Sequence, residues 1–380
     1  MPETPNGRLI YAVSETCADL YYESGFSAPD AFLWYEYAGQ AGVLVSALEF
    51  ARAQKQCRAG IEVICLEDLA SRFGLKKAPL YSVVEHITAL SRYLGIRHWQ
   101  VPASFPLGLA RNLARRRIRL TPSSPFSPQR VCKTTAEIQA IQEGVQLAET
   151  GLKRAEQILQ QSCCGKDQLL YWQQQILTAE ILRGEIDAEI ARFGGIASGT
   201  ITAPGQQGAD PHQLGFGPIP ANEPIVIDIF PRCLRTGYHG DLTRTLVKGK
   251  ATDRVWEAFH AVQAAQKKAL TALRPGVSGK EIHQLVVNLF TERGFETITG
   301  GAATPRGFFH STGHGLGLEV HEAPSLSFRY EDPLEAGQVV TVEPGLYYPE
   351  WGGVRLEDVA ALTPNGCRNL TSASIYLEIK

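Results

Sequence analysis

The sequence predicts an α/β domain followed by an α+β domain that is built around an antiparallel sheet. Three observations support this fold class: the length of 380 residues, a proline-rich break at residues 120–130, and a change in the order of helices and strands across that break. Because a domain holds roughly 100–200 residues, this length accommodates two domains. We predict a first domain over residues 1–125 and a second over residues 130–380.

The first domain alternates apolar runs with helical segments. The runs VLVSALE and IEVICLE are typical of strands, whereas SVVEHITALSRYLG and LGLARNLARRR have the apolar spacing of helices. This alternation favours a small α/β layer domain. The next segment, LTPSSPFSPQR at residues 120–130, carries three prolines, each of which disfavours helix in the residue before it. We interpret this segment as a linker or a crossing segment.

Capping signals and apolar periodicity predict four helices in the second domain. A capping box, in which Ser or Thr and a Glu three residues later bond to each other's backbone N–H groups, occurs twice. After the first box, apolar residues recur at steps of three and four, which indicates one buried stripe from Ile138 to Leu159. The four helices are predicted to begin at Thr134, to cover about 168–193, to cover 253–273, and to begin at Ser278.

Four β-like runs lie between and after these helices, namely EPIVIDIF, DLTRTLVKG, QVVTVEPGLYY and GVRLEDVAALT. Helices and strands therefore come in blocks and do not alternate strictly. Such an order is typical of an α+β domain with an antiparallel sheet.

Composition and charge exclude several classes of function. The chain has 37 basic and 39 acidic residues, so it offers no electrostatic footprint for nucleic acid or an anionic membrane. The opening MPETPNGRLIYAVSE has no basic segment before an apolar one, and no apolar run approaches the roughly 20 residues of a membrane span. We expect a cytoplasmic protein whose eight cysteines remain reduced thiols.

Four acids occur inside the apolar runs of the second domain. Asp228 and Asp241 are 241 − 228 = 13 positions apart, and Glu343 and Glu357 are 357 − 343 = 14 positions apart. Glycines between the members of each pair allow each segment to form a hairpin. Two such hairpins, with one carboxylate on each strand, would direct four carboxylates to one place.

A buried acid is costly unless something neutralises its charge. Ion pairing is one explanation, since four arginines of the second domain are available for it: Arg244, Arg306, Arg329 and Arg355. Two divalent cations are the alternative that we favour, because their four positive charges balance four carboxylates. Oxygen and imidazole ligands without thiolate favour Mn, Co, Fe or Zn.

The imidazole would come from a glycine-rich segment, HSTGHGLGLEVHE, which holds His310, His314 and His321. Glycines allow the backbone to approach a bound group closely. The spacing of these histidines does not by itself identify which one is a ligand.

These motifs resemble the pita-bread metallopeptidases, a family that includes Xaa-Pro dipeptidase (prolidase), aminopeptidase P and methionine aminopeptidase. VIDIF, GDLTRT, HSTGHGLGLEVHE, TVEPGLY and GVRLED occur in the family's order, and the resemblance covers about residues 130–380. The N-terminal part more loosely resembles the creatinase-type N-terminal domain, through ADLYYESGF and VLVSALEFARAQK. The resemblance implies a pita-bread catalytic domain with a pseudo-twofold antiparallel sheet.

The resemblance also implies a site with two divalent metal ions, with Mn²⁺ placed before Co²⁺, Zn²⁺ and Fe²⁺. A hydroxide that bridges the two ions would attack the peptide carbonyl. The implied ligands are Asp241 and Glu357 for both ions, Asp228 for one ion, and His314 with Glu343 for the other.

Further roles follow from the same resemblance. Glu343 would handle the proton of the attacking water, and His321 would stabilise the oxyanion or the scissile amide. His310 is expected to act in catalysis or to bind substrate, and His212 and Arg355 to bind substrate.

Arg355, two residues before the last ligand, indicates the Xaa-Pro branch of the family. Substrates would then be short peptides with proline in second position, and the family implies a homodimer. A prolidase-like dipeptidase is the expected function, and aminopeptidase P is its alternative. Two further alternatives are a creatinase-like amidinohydrolase without metals and a non-catalytic binding module, although all five ligands are present and the chain has no charged tail.

The first hairpin departs from the family pattern. It is two residues longer than usual and carries Phe230-Pro231-Arg232 where a small residue is common. Because an even insertion keeps the strand face, the longer turn can leave both aspartates in register and can still reshape the mouth of the pocket. His239, inside this hairpin, is expected to be a turn residue and not a pocket residue.

Overall fold

The computed structural model describes residues 7–73, 82–297 and 306–380. Its contacts divide the chain into two units, Met1–Arg130 and Val131–Lys380. No helix in these ranges is long and apolar enough to cross a membrane.

The first unit is an α/β layer, which confirms the class predicted from its alternating pattern. One sheet has the order β4-β3-β2-β1-β5-β6, with antiparallel β1–β2 and β2–β3 pairs and parallel pairs elsewhere. The described strands are β1 (Gly7–Ala12), β2 (Phe32–Tyr37), β3 (Gln40–Val45), β4 (Ile61–Cys65), β5 (His98–Pro102) and β6 (Arg119–Ser123). The described helices are α1 (Ala18–Ser24), α2 (Ala47–Gln56), α3 (Leu69–Arg72), α4 (Val83–Leu94) and α5 (Leu107–Arg115).

The linker prediction for residues 120–130 is wrong over its first residues. They belong to β6, which pairs in parallel with β5 at the edge of the sheet. Pro122 has no N–H group to donate, but an edge strand tolerates this because one of its sides has no partner strand among the residues that the structure describes. A 3₁₀ turn, Pro128–Val131, follows.

The second unit contains two similar series of elements, each with a pair of helices and an antiparallel hairpin. The first series is α6 (Thr135–Gln161), β7 (Cys163–Cys164), β8 (Leu170–Trp172), β9 (Gln175–Ile176), α7 (Ala179–Arg192), β10 (Gly195–Ile196), β11 (Ile201–Pro204), β12 (Pro224–Ile229), β13 (Arg232–Cys233) and β14 (Leu242–Lys248). The second series is α8 (Asp253–Ala272), α9 (Gly279–Glu292), β15 (Gly313–Gly315), β16 (Glu322–Leu326), β17 (Val339–Val342), β18 (Gly345–Tyr348), β19 (Gly352–Arg355), β20 (Asp358–Thr363), β21 (Gly366–Asn369) and β22 (Glu378–Ile379).

Two larger sheets organise the second unit, with the orders β11-β12-β14-β22 and β16-β15-β17-β20-β21, and β18–β19 form a separate ribbon. Helices α6 and α7 pack on the first sheet in one apolar core, which includes Leu152, Ile186 and Ile227. Helices α8 and α9 pack on the second sheet in another core, which includes Val262 and Val340. Each sheet is thus supported by its own helix pair, and the α+β prediction is confirmed.

Three of the four helix predictions for this unit are confirmed. Complete capping boxes precede α6 at Thr134 and α9 at Ser278, and α8 matches the predicted third helix. The predicted stripe of α6 is buried except at its first residue, Ile138, which is partly exposed.

The second helix prediction, 168–193, is wrong over its first eleven residues. Helix α7 begins only at Ala179, and the residues before it form β8 and β9. Leu170 and Trp172 are buried on alternate positions, which is the period of a strand. Gln173 and Gln174 have φ of 50° and 64° and make the turn between the two strands.

Candidate active site

All nine predicted site residues line one cavity of about 1340 Å³ in the second unit. They come from both hairpins, from the glycine-rich segment around β15, and from the loop that follows β11. The nine are Asp228, Asp241, His314, Glu343 and Glu357, predicted as ligands, and His212, His310, His321 and Arg355, predicted for catalysis or substrate binding.

The register of β12 and β14 places the first two acids on one face. Asp228 lies opposite Thr243, and Asp241 precedes Thr243 by two residues, so both aspartates share a face. The long turn between them is held by two sets of backbone pairs: β13 pairs with β10, and Arg232 forms a bridge with His239. The two additional residues therefore leave the aspartates on one strand face.

The second hairpin places its two acids directly opposite each other. Val342 pairs with Asp358, and the β18–β19 pairs continue the same register, so Glu343 faces Glu357. Both glutamates lie outside the strand bounds, where the chain passes from the five-stranded sheet to the ribbon. Pro344 stands at this junction and donates no ladder hydrogen bond.

His314 on β15 brings an imidazole to these acids. Its Nε2 lies 3.4 Å from Glu343 Oε1 and 3.7 Å from Asp241 Oδ2. Its backbone N–H donates to Thr341 Oγ1 at 3.1 Å, which fixes its position. Asp241, His314 and Glu357 each offer one ligand atom, and these atoms lie within 4.8 Å of one another.

The charge state of this cluster is set mainly by burial. Burial, with a further contribution from neighbouring carboxylates, raises the pKa of Asp241 and Glu357 well above their ordinary values. Burial also raises the pKa of Glu343 to about 7. The pKa of His314 is lowered by burial, so its imidazole is neutral and has a free lone pair.

Two buried carboxylate oxygens of the cluster, Asp228 Oδ1 and Glu357 Oε1, have no hydrogen-bond partner. Their companion oxygens do accept hydrogen bonds, from Arg355 Nη2 and Thr243 Oγ1 respectively, both at 2.7 Å. Buried acceptors are normally satisfied, and a cation would satisfy these two. The described residues that line the cavity include no cysteine, so the oxygen and imidazole donors fit a divalent cation such as Mn, Co, Fe or Zn.

Ion pairing with arginine explains one of the four acids. Arg355 pairs with Asp228, whereas Arg244 pairs with Asp358 at 2.8 Å and Arg306 pairs with glutamates outside the cavity. Within the described residues, Asp228 is the only one of the four with an arginine partner. The remaining negative charge must be balanced by protons or by cations.

His310 is held by hydrogen bonds on both ring nitrogens. Nδ1 lies 2.7 Å from Ser311 O and therefore donates to it, so Nε2 accepts from the Tyr347 hydroxyl at 2.9 Å. Tyr347 Oη in turn accepts from Arg355 Nη1 at 2.9 Å. Burial lowers the pKa of His310 to about 3, so this network holds a neutral imidazole at the cavity wall.

The other histidines differ in their surroundings. The His321 ring stands nearly perpendicular to the His314 ring, with centroids 4.3 Å apart, and partial desolvation lowers the pKa of His321, although the residue is exposed to solvent. His212 is exposed, and its backbone N–H donates to Asp210 Oδ1. His239 does not line the cavity and lies in the turn between β13 and β14, as expected.

Three residues that support the site were not predicted from the sequence: Thr243, Thr341 and Tyr347. Each contacts a predicted site residue through its hydroxyl group. Strand alternation could have identified two of them, because Thr243 and Thr341 lie two residues from Asp241 and Glu343. Tyr347 could not be found in this way, because its partner His310 lies on a distant segment.

Comparison with known proteins identifies the family. The model of metallopeptidase family M24 matches residues 139–364. The Xaa-Pro dipeptidase of Pyrococcus horikoshii is 30% identical over 359 residues, 93% of this chain and 90% of that protein. The chain belongs to metallopeptidase family M24. A second relative, the Xaa-Pro dipeptidase of Pyrococcus furiosus, is 34% identical over 244 residues, 64% of this chain and 63% of that protein.

Solved structures of similar proteins agree with this M24 assignment. The prolidase of Pyrococcus horikoshii OT3 has a TM-score of 0.79 at 26% identity, over 98% of this chain and 95% of that one. The X-Pro aminopeptidase of Thermotoga maritima has a TM-score of 0.82 at 23% identity, over 98% and 97%, which supports the fold alone. The predicted fold, a creatinase-type α/β domain followed by a pita-bread domain, is confirmed. Membership of this family makes the chain a peptidase that requires divalent metal.

Proposed function

We propose that this M24 peptidase is a prolidase-like dipeptidase that hydrolyses the bond between a residue and a following proline. The observation that carries the proposal is the convergence of four carboxylates and one neutral imidazole in a single cavity. The near full-length similarity to a Xaa-Pro dipeptidase supports the choice of substrate class.

Five side chains would hold two divalent ions, with Mn²⁺ as the first candidate and Co²⁺, Zn²⁺ or Fe²⁺ as alternatives. The buried carboxylate oxygens without partners and the neutral His314 support this ligand set. Bound ions would make a water nucleophilic near neutral pH and polarise the scissile carbonyl. The proposed ligands are Asp241 and Glu357 for both ions, Asp228 for one, and His314 and Glu343 for the other.

The remaining residues would act on the substrate and on the proton. Glu343 would take the proton of the attacking water on its carboxylate and pass it to the departing proline nitrogen. His321 would donate an N–H to the oxygen of the scissile amide, where negative charge develops. His212 and His310 would contact the peptide. Arg355 would act mainly by orienting Asp228, because its guanidinium is buried against that carboxylate.

An aminopeptidase P activity on longer peptides is the second candidate. Arg355 indicates the Xaa-Pro branch as a whole, and that branch includes both activities. The homodimer and the cytoplasmic location expected from the sequence belong to the same proposal. Light scattering on purified protein and fractionation of the native cells test these two points.

A substrate panel tests the proposal. Metal-loaded protein would be given Ala-Pro, Ala-Pro-Ala, Ala-Ala and creatine, and free amino acids and urea would be measured. We expect hydrolysis of Ala-Pro only. Release of Ala from Ala-Pro-Ala would instead identify an aminopeptidase P, and urea from creatine a creatinase-like enzyme. Hydrolysis of Ala-Ala at the rate of Ala-Pro would contradict the proline requirement.

A further inference from the structure

A buried ion pair lies beside the segment that carries His321. Lys133 Nζ is 2.7 Å from Glu322 Oε1, and the two side chains are 2% and 9% exposed. A buried pair of this kind adds little stability over apolar side chains of the same size, because both charges lose their hydration. The effect of this ion pair on the positions of neighbouring residues is therefore more important than its contribution to stability.

Lys133 holds its ammonium group at a fixed point. Its backbone N–H donates to Gly337 O at 2.8 Å, and Nζ also lies 3.3 Å from Val131 O. The next residue, Thr134, is the N-cap of α6 and takes part in a complete capping box. The ammonium group is therefore carried by a residue whose backbone is fixed by the N-terminus of a long helix.

Glu322 closes the loop that connects His314 to His321. It pairs with Gly315 at the base of this loop, directly after His321. Its carboxylate lies over the loop backbone, since a Cβ on Gly317 would be 2.4 Å from Glu322 Oε1. Outside the loop, the backbone N–H of His239 donates to Gly317 O at 2.9 Å.

We propose that Lys133 is a positioning residue for the peptidase reaction, and that it acts through Glu322 on the orientation of His321. The ammonium group holds the carboxylate over the loop, and the loop holds the His321 ring against His314 in the cavity. This inference rests on the proposed function, because it assumes that His321 acts on the substrate.

Kinetics of Lys133→Met test this role. We expect kcat on Ala-Pro to fall at least tenfold, with KM and bound metal nearly unchanged, and Lys133→Arg to recover most of the loss. In a His321→Ala background, Lys133→Met should change kcat less than twofold, because its effect passes through that ring. A full additional tenfold loss in that background, or an unchanged kcat in the single variant, would overturn the proposal.

A variant that removes both charges separates positioning from stability. Lys133→Met alone removes the cation that faces the buried carboxylate, whereas Lys133→Met with Glu322→Gln removes both charges of the pair. This double variant is expected to fold with a Tm close to that of the wild type and to retain the loss in kcat. Recovery of both Tm and kcat would show that the ion pair only stabilises the fold.

A measurement without substrate distinguishes failure of this inference from failure of the proposed function. Histidine ring signals would be recorded by NMR on metal-free protein, with the His321 signal identified by its loss in His321→Ala. We expect Lys133→Met to shift this signal and Lys133→Arg to restore it. The signal of His260, exposed on α8 outside the cavity, should not move. An unmoved His321 signal would overturn the inference even if the peptidase activity is confirmed.

Discussion

Glu357 combines the features that make this cluster reactive toward cations. It is 2% exposed, one of its oxygens accepts from Thr243, and the other has no partner. Its pKa is raised by burial and by the carboxylates around it. The free protein therefore holds an acid that is unfavourable when charged, and a bound cation relieves that cost.

Glu357→Gln should weaken metal binding and activity by at least ~100-fold. Substitution of a residue that only contacts a metal ligand already lowers metal affinity or activity by up to about 100-fold, and Glu357 is itself a proposed ligand. Stability of the metal-free variant should stay unchanged or rise, because the amide carries no buried charge. Metal content, Ala-Pro hydrolysis and Tm measure these effects. Glu257→Gln, at an exposed acid on α8, is the matched control and should change none of them. Unchanged metal binding in Glu357→Gln would exclude this residue as a ligand.

His321→Ala should separate turnover from metal binding. Its ring lies beside His314 but is not in the cluster of ligand atoms. Loss of one donor to a developing oxyanion lowers kcat by about 100–1,000-fold. We expect a loss of this size on Ala-Pro with metal content unchanged, measured against His260→Ala as the control. Loss of metal together with activity would instead make His321 a ligand.

At the level of strands and helices, the hairpins follow from local sequence. The apolar runs around the four acids have strand composition, and their register then places the acids on shared faces or opposite each other. Helices α6, α8 and α9 were predictable because their caps and apolar spacing agree. The strands within residues 168–178 were not predictable, because glutamines with positive φ form the turn between them. This segment contains none of the residues Gly, Asn or Pro that usually indicate a turn.

Helix α6 packs closely against the backbone of the first hairpin at Gly144, so a side chain at this position should destabilise the fold. A Cβ on Gly144 would lie 2.4 Å from Gly240 N and 2.5 Å from His239 C, so Gly144→Ala must displace the turn that precedes Asp241. We expect a loss of about 1–3 kcal/mol in the free energy of unfolding. Urea unfolding measures this loss, and weaker metal binding should accompany it.

The control for this helix substitution is Gly184→Ala on α7. Gly184 is exposed, and a Cβ there would meet nothing within 4 Å. Alanine should raise the free energy of unfolding by up to about 1 kcal/mol, because it is the better helix former. Equal effects of the two substitutions would contradict the close approach of α6 to the hairpin.

At the scale of the whole molecule, the site residues were easier to predict from the sequence than the residues that hold them in place. The five proposed ligands were visible because acids inside apolar runs conflict with burial, and because histidines recur among glycines. The contacts of Arg355 with Asp228, of Tyr347 with His310 and of Lys133 with Glu322 were not visible, since they join segments far apart in sequence. Their pairing depends on the assembled fold, which local patterns do not encode.

Stability of the metal-free protein should depend on pH with a definite sign. Burial raises the pKa of Glu343 from 4.5 to about 7, so the folded state binds more protons than the unfolded state between these values. The resulting stability is present at low pH and is lost as pH rises through the folded pKa. Buried histidines act in the opposite direction up to about pH 7.5, because the unfolded chain would still gain part of their protons there.

Thermal unfolding between about pH 7.5 and 8.5 isolates the carboxylates, because the histidines of the unfolded chain are mostly deprotonated there. We expect the Tm of metal-free protein to fall as pH rises over this window. Added Mn²⁺ should flatten or reverse the slope, since bound cations favour the charged carboxylates. A metal-free Tm that rises across the window would contradict the buried, cation-free cluster of acids.

The central claim is that four carboxylates and one imidazole hold two divalent ions that make this chain an Xaa-Pro peptidase. The most direct test is to titrate chelator-stripped protein with Mn²⁺ while counting bound ions and measuring Ala-Pro hydrolysis. We predict no hydrolysis without metal and a plateau of activity at two ions per chain. Full hydrolysis by stripped protein, or two bound ions with no hydrolysis, would contradict this account.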